Sequence, residues 1–263
     1  MVSIVAEGVD IEFPIYGQRS RSLRNLLLPK LRGRATRTNL REVGGAIAAE
    51  VSGKIVVKAL QGLSFSLGDG DRLGVVGHNG AGKTTLLRVL AGIYEPVRGS
   101  MAIAGSVTPL FSLVDGMDPD ATGYENIWLR SRVLGFSREF ITAHAPEIVD
   151  FCELGDFLDM PLRTYSSGMA LRLGFAIATA LDPQILIMDE MIGAGDASFL
   201  ARAEARLGRM ITRANIMVVA THSTAIVRRW CNKAMLLRHG RLELIGDPDE
   251  VLRRYEELSQ SAA

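Results

Sequence analysis

Residues 72–91 read RLGVVGHNGAGKTTLLRVLA, and the fold turns on them. An apolar run enters at Leu73–Val76, and GHNGAGKT (77–84) then fits the spacing G-x-x-x-x-G-K-[S/T] without a gap. Beyond it, Leu86, Leu87 and Leu90 repeat at helical spacing. Strand, glycine-rich turn and helix, in that order, make a phosphate cradle. Gly77, Gly80 and Gly82 let the backbone curve around an anion without Cβ clashes. The N–H groups of Gly80 to Thr84 can point inward as a nest. Lys83 offers a point charge to β- and γ-phosphates, and Thr84 offers a hydroxyl to Mg²⁺. The candidate nucleotide-binding loop is therefore Gly77, His78, Asn79, Gly80, Ala81, Gly82, Lys83, Thr84 and Thr85.

Two further apolar runs, ILIMD (185–189) and IMVVA (216–220), suit strands buried on both faces of a parallel sheet. Their alternation with helical stretches argues an α/β fold, in which strand ends and ligand lie together. Asp189, at the end of the first run, is a candidate for the water shell of Mg²⁺. Glu190, one residue on, is placed to polarise an attacking water. His222, just past the second run, can hydrogen-bond a γ-phosphate as a neutral imidazole. Gly195-Asp196 would turn the chain back over the site.

The remaining elements follow from pattern. Residues 2–13 alternate as an edge strand; 55–67 reads as one or two strands and 99–111 as more. GGAIAAEVSG (44–53) reads as small and flexible. Residues 123–160 are mostly helical, with Ser137 as a cap for the second helix and Glu139 and Asp150 on its solvent side. PDEVLRRYEELS closes the chain as a helix. TYSSGMA (164–170) heads another long helical run, and a helix N-terminus there is a second anion-binding turn.

Composition narrows the class. The 263 residues are 48% hydrophobic, enough for one large domain, yet no apolar run approaches the length of a membrane span. The N-terminus carries Glu7, Asp10 and Glu12 and no basic n-region, which argues against a secretory signal. Cys152 and Cys231 read as two free thiols. Charge is uneven: seven arginines and Lys30 between Phe13 and Glu42 carry +8 with no acid, against a net +1, so the rest of the chain is at −7.

The order GHNGAGKT, YSSGM, ILIMDE, GAGD, ATHS resembles the nucleotide-binding subunit of an ATP-binding cassette transporter over residues 1 to about 250. YSSGM in place of the usual LSGGQ, with TGYENI (122–127) upstream, resembles the branch that exports polysaccharides such as O-antigen, galactan, capsule and teichoic acid. The resemblance implies a phosphate-loop NTPase core with an antiparallel β subdomain and an α-helical subdomain near 112–180. It makes 1–263 one cassette, with a basic insert at 17–53 and a C-terminal helix over 247–263. ATP and Mg²⁺ are the implied cofactors. By the same resemblance Lys83 and Thr84 bind phosphate and Mg²⁺, Asp189 supports Mg²⁺ and Glu190 is the catalytic base. Asp196 is an inter-subunit turn, and His222 senses the γ-phosphate. Ser166, Ser167 and Gly168 face the ATP of a second copy, giving a two-fold homodimer. Two positions depart from the pattern. Ser112 stands nearest to where a Gln or Glu is usual beside Mg²⁺, and Tyr16, ahead of Phe13, is the choice for stacking on adenine.

The implied partners are a transmembrane permease subunit and a lipid-linked polysaccharide, with the chain peripheral on the cytoplasmic face of the inner membrane. An importer or drug-exporter role is disfavoured by YSSGM only by analogy. In SRSLRNLLLPKLR (20–32) Leu23, Leu26, Leu27 and Leu31 form one stripe, a helix that either packs on its own domain or lies at the membrane surface and meets the lipid-linked substrate. Residues 17–53 contain no Phe, Tyr or Trp, so base stacking is unsupported and no nucleic-acid partner is expected. The expected single cassette leaves no room for a carbohydrate-binding domain after it.

Overall fold

The computed structural model describes residues 1–15, 46–51, 54–111, 113–180, 182–189 and 197–261. The expected 20–32 helix, Tyr16, Ser112, Glu190 and Asp196 lie outside them. Two sheets organise the described chain. In the first, β1 (Ser3–Ile15), β2 (Ala46–Val51), β3 (Lys54–Gly68) and β5 (Arg98–Ala104) pair antiparallel in the order β2-β3-β1-β5. In the second, the order is β10-β9-β4-β8-β7-β6, built from β4 (Arg72–Val76), β6 (Val107–Pro109), β7 (Ile185–Asp189), β8 (Ile216–Ala220), β9 (Lys233–Arg238) and β10 (Arg241–Gly246). Every pairing in this sheet is parallel except β9–β10.

Two expectations are corrected. β1 is not an edge strand, because it lies between β3 and β5. Alternation reports which face is buried, not how many neighbours a strand has. The stretch read as small and flexible contains β2, which pairs with β3 from Ala46↔Lys58 to Val51↔Lys54.

Helix α1 (Lys83–Leu90) lies between the two sheets. Its Leu86, Leu87 and Leu90 are fully buried in one core with Ile4, Leu60 and Leu63 of the first sheet and Leu73, Val75, Ile185, Ile187 and Val218 of the second. The other face of the second sheet, through Leu186, Met188, Met217 and Val219, packs on Phe175 and on Phe199, Leu207 and Met210. Those come from α4 (Ser167–Ala178) and α5 (Ala197–Arg213). Apolar residues of opposite parity along one strand thus serve opposite cores, which is why ILIMD and IMVVA carry no polar alternation. A third core joins α2 (Gly123–Val133), α3 (Arg138–Cys152) and α4 through Ile127, Ile141, Ile148 and Leu173. Ser137 caps α3 as expected, its hydroxyl accepting from Phe140 N at 3.2 Å. Helices α6 (Thr224–Trp230) and α7 (Pro248–Ser261) cover β9 through Val227, Val251 and Leu252. Among the described residues no helix is long and apolar enough to cross a membrane.

Candidate active site

Register places the site. Asp189 of β7 and Val75 of β4 both lie opposite Ala220 of β8, so three parallel strands end side by side. From this edge emerge the 77–82 loop, the Asp189 carboxylate and Thr221-His222. Thr84 Oγ1 donates to Asp189 Oδ2 at 2.9 Å across 105 residues of sequence. Lys83 is buried and folds back, its Nζ donating to Gly77 O at 2.7 Å and His78 O at 3.2 Å.

The loop's shape is enforced from outside. A β-carbon on Gly77 would overlap Leu237 O of β9, and one on Gly82, at φ 107°, would lie 2.7 Å from Ala59 O of β3. Gly80 also sits in the left-handed region, at φ 80°. Opposite the loop, His239 (φ 48°) and Gly240 (φ 77°) make the turn between β9 and β10. Gly240 N donates to Ala81 O at 2.9 Å, while Gln61 N donates to Gly240 O at 2.8 Å and Gln61 Nε2 to His239 O at 2.9 Å. Sequence reasoning missed this brace. The signal was RHGRL (238–242), a His-Gly pair between two strand-like runs, which suits a two-residue hairpin with both central residues at positive φ. The His78 ring lies 4.7 Å from His239, its Nδ1 2.8 Å from Asn79 O, and its buried Nε2 has no hydrogen-bond partner.

This arrangement fits a nucleotide with a hard cation. Gly82, the N-cap of α1, brings no capping side chain, and no acid occupies the first turn, so no side chain there offsets the positive potential that favours an anion. A hydroxyl and a carboxylate in mutual contact are the oxygen donors that Mg²⁺ takes.

His222 is exposed just beyond β8. Thr221 beside it is buried, donating from N to Val75 O and accepting at Oγ1 from Ser223 N at 3.0 Å. Phe13, the second choice for adenine, meets Tyr94 edge-on with ring centres 5.2 Å apart.

The YSSGM turn sits in the helical layer. Ser166 is the N-cap of α4, its Oγ accepting from Met169 N at 3.2 Å. Ser166, Gly168, Met169 and Arg172 line an open pocket of about 440 Å³ together with Glu153 and Phe157. The fold therefore joins Lys83, Thr84, Asp189 and the His222 segment at one sheet edge, while Ser166 and Gly168 face a pocket walled by helical-layer residues alone.

A family model for the ABC transporter matches residues 60–193. The chain is 44% identical over 240 residues to the O-antigen export system ATP-binding protein RfbE of Yersinia enterocolitica, covering 91% of this chain and 96% of that one. It is 40% identical to the O-antigen export system ATP-binding protein RfbB of Myxococcus xanthus, covering 79% of this chain but only 49% of that longer relative. A solved ATP-binding subunit of an ABC transporter superposes with a TM-score of 0.66 at 20% identity, over 96% of this chain and 93% of that one. The chain belongs to the ABC transporter family, and its fold is that of the family's ATPase cassette.

Proposed function

We propose that this chain is the ATPase subunit of an exporter of lipid-linked polysaccharide, acting as a homodimer beneath a separate transmembrane permease on the cytoplasmic face of the membrane. The observation that carries the reading is the 44% identity, over nearly the whole of both chains, with an O-antigen export ATP-binding protein. The relatives also include a teichoic acids export ATP-binding protein, TagH of Bacillus anthracis, 37% identical over 76% of this chain and 36% of that one. Solved cassettes of the same fold include dimers, one bound to ADP and phosphate, at 17% identity and a TM-score of 0.63 over 93% of this chain and 98% of that one.

The proposed residue roles combine the chemistry of the described site with what the family resemblance implies. The loop N–H groups receive the phosphates of ATP, and Lys83 leaves Gly77 O and His78 O for the β- and γ-phosphates. Thr84 and Asp189 would hold Mg²⁺, with Ser112 proposed as a further ligand, and the ion would neutralise charge that builds up as the γ-phosphoryl transfers. Tyr16 stacks on adenine. Glu190 takes a proton from the attacking water, whose oxygen bonds to the γ-phosphorus as the bond to the β–γ bridging oxygen breaks. His222 donates to the γ-phosphate. The partner copy's Ser166, Ser167 and Gly168 cover the γ-phosphate, and Asp196 completes the contact between copies. Loss of the γ-phosphate removes the bridge, and the copies part.

Capturing the chain from its native membranes in mild detergent tests this reading. A polytopic protein and a lipid-linked glycan should come with it. Recovery with ribosomes or nucleic acid and no polytopic partner would sink it.

A further inference from the structure

Three phenylalanines meet where α3, α4 and α5 converge. The ring centres of Phe151, Phe175 and Phe199 lie 5.7–6.0 Å apart. Three arginines cap this cluster: Arg172 over Phe199 at 5.1 Å, Arg202 over Phe151 at 5.6 Å and Arg206 over Phe151 at 4.4 Å. Arg206 is the most committed of them. Its side chain is only 8% exposed, its Nε and Nη2 donate to Thr179 O at 3.1 and 2.9 Å, and its Nη2 lies 2.9 Å from Glu147 Oε1.

The partners are helix ends. Thr179 is the C-cap of α4 and Glu153, which pairs with Arg202, is the C-cap of α3. Neither helix carries a basic residue in its own last turn; α5 supplies Arg206 to the C-cap carbonyl of α4 and Arg202 to the carboxylate of the α3 C-cap. Further along, Arg213 donates to Asp182 at 2.7 Å. Phe199, Arg202, Arg206 and Arg213 fall at i, i+3, i+7 and i+14, one face of α5. That face is fastened to α3, to the end of α4 and to the connection into β7.

The chain between these fastenings is the chemical part. It leaves α4 at Thr179, runs through β7 to Asp189 and re-enters helix at Ala197. At its other end α4 begins with the Ser166 turn. We propose that Arg206 is a positioning residue for ATP hydrolysis: by locking α5 to the C-terminus of α4, it fixes the Ser166–Gly168 turn relative to the strand that carries Asp189. Each chain then relays the state of its own nucleotide to the turn that serves the other chain's nucleotide. This rests on the homodimeric ATPase reading above.

Arg206→Lys keeps the charge and the stem but cannot make the forked bond to Thr179 O together with the Glu147 pair. In the purified full chain with Mg²⁺ and ATP, we expect kcat to fall roughly tenfold and cooperativity in ATP to vanish, as loss of coupling between sites requires. ATP affinity of the isolated chain should stay within about twofold of wild type, because no phosphate contact changes. Ile148→Val, in the adjoining helical core, supplies a loss of melting temperature without touching the guanidinium. Arg206→Lys with wild-type kcat and cooperativity overturns the proposal. So does an equal loss of kcat in Ile148→Val, which would make Arg206 merely structural. If Arg206→Lys does not fold, Glu147→Gln, at a half-exposed position, reads the same coupling: a reduced Hill coefficient supports it and an unchanged one overturns it. A wild-type chain without ATPase activity overturns the underlying functional reading, and this inference with it.

Discussion

Gly123 and Tyr165 fit without room for a β-carbon between them. One at position 123 would overlap the Tyr165 hydroxyl and lie 2.8 Å from Leu158 Cδ2. The TGYENI and YSSGM stretches, far apart in sequence, are therefore two sides of one contact. Tyr165 Oη donates to Phe157 O at 2.6 Å, which sets the residue that precedes the Ser166 cap.

That contact gives a first prediction. Gly123→Ala should cost about 1–3 kcal/mol by overpacking, and Tyr165→Phe about 1 kcal/mol for the lost hydrogen bond. Thermal melts read both. ATPase activity should fall more in Gly123→Ala, because the Ser166 turn moves, while ATP affinity of the single chain holds. Burial pushes the Tyr165 hydroxyl up to about 12. A folded pKa above the unfolded one stabilises below pH about 10 and fades as pH rises toward 12. Alkaline titration by tyrosinate absorbance should show a late-titrating component that is absent in Tyr165→Phe.

The Thr84–Asp189 contact gives a second. Asp189→Asn keeps size and fold but removes a charged oxygen donor. It should raise the Mg²⁺ concentration for half-maximal hydrolysis by roughly 10–100-fold. Unchanged Mg²⁺ dependence would remove Asp189 from the metal's surroundings.

Glu190 supplies a third. Glu190→Gln should bind ATP normally yet hydrolyse it roughly 10²–10⁴-fold more slowly, the usual worth of a positioned base. With ATP and Mg²⁺ it should accumulate as a dimer on gel filtration. Wild-type turnover would end the assignment.

The thiols give a fourth. Burial pushes Cys231 up to about 12 and raises Cys152 as well. Both shifts favour the protonated thiol, so reactive thiolate is scarcer at pH 8 than for a free cysteine. Maleimide labelling at pH 8 should be slow for the folded chain and fast, at two sites, in denaturant. For both thiols the raised pKa stabilises below the unfolded value near 8.5 and is lost as pH climbs past it. Rapid native labelling would contradict the burial.

Most of the candidate phosphate site was legible, because its residues are consecutive and each answers to local chemistry: GHNGAGKT needs only its own backbone to suggest a cradle. The apolar runs ending at Asp189 and Ala220 were equally clear, since a strand buried on both faces has no polar alternation. What stayed hidden depended on partners distant in the chain. Alternation in residues 2–13 could not say that β1 has two neighbours. Small residues at 46–51 gave no sign of the pairing with β3. The brace at Gly240 rests on Ala81 and Gln61, each more than 150 residues away.

The sequence by itself determined the glycine-rich loop between β4 and α1, the α/β class, the helical turn at Ser166 and the family. Those are written in glycine placement, hydrophobic period and short motifs, which local sterics and burial make decisive. Tertiary structure alone decided that Asp189 meets Thr84, that Gly240 holds the loop from behind and that Arg206 fastens α5 to the end of α4. These contacts depend on sheet order and helix packing, which follow from the summed burial of distant residues and which no short stretch of the chain encodes.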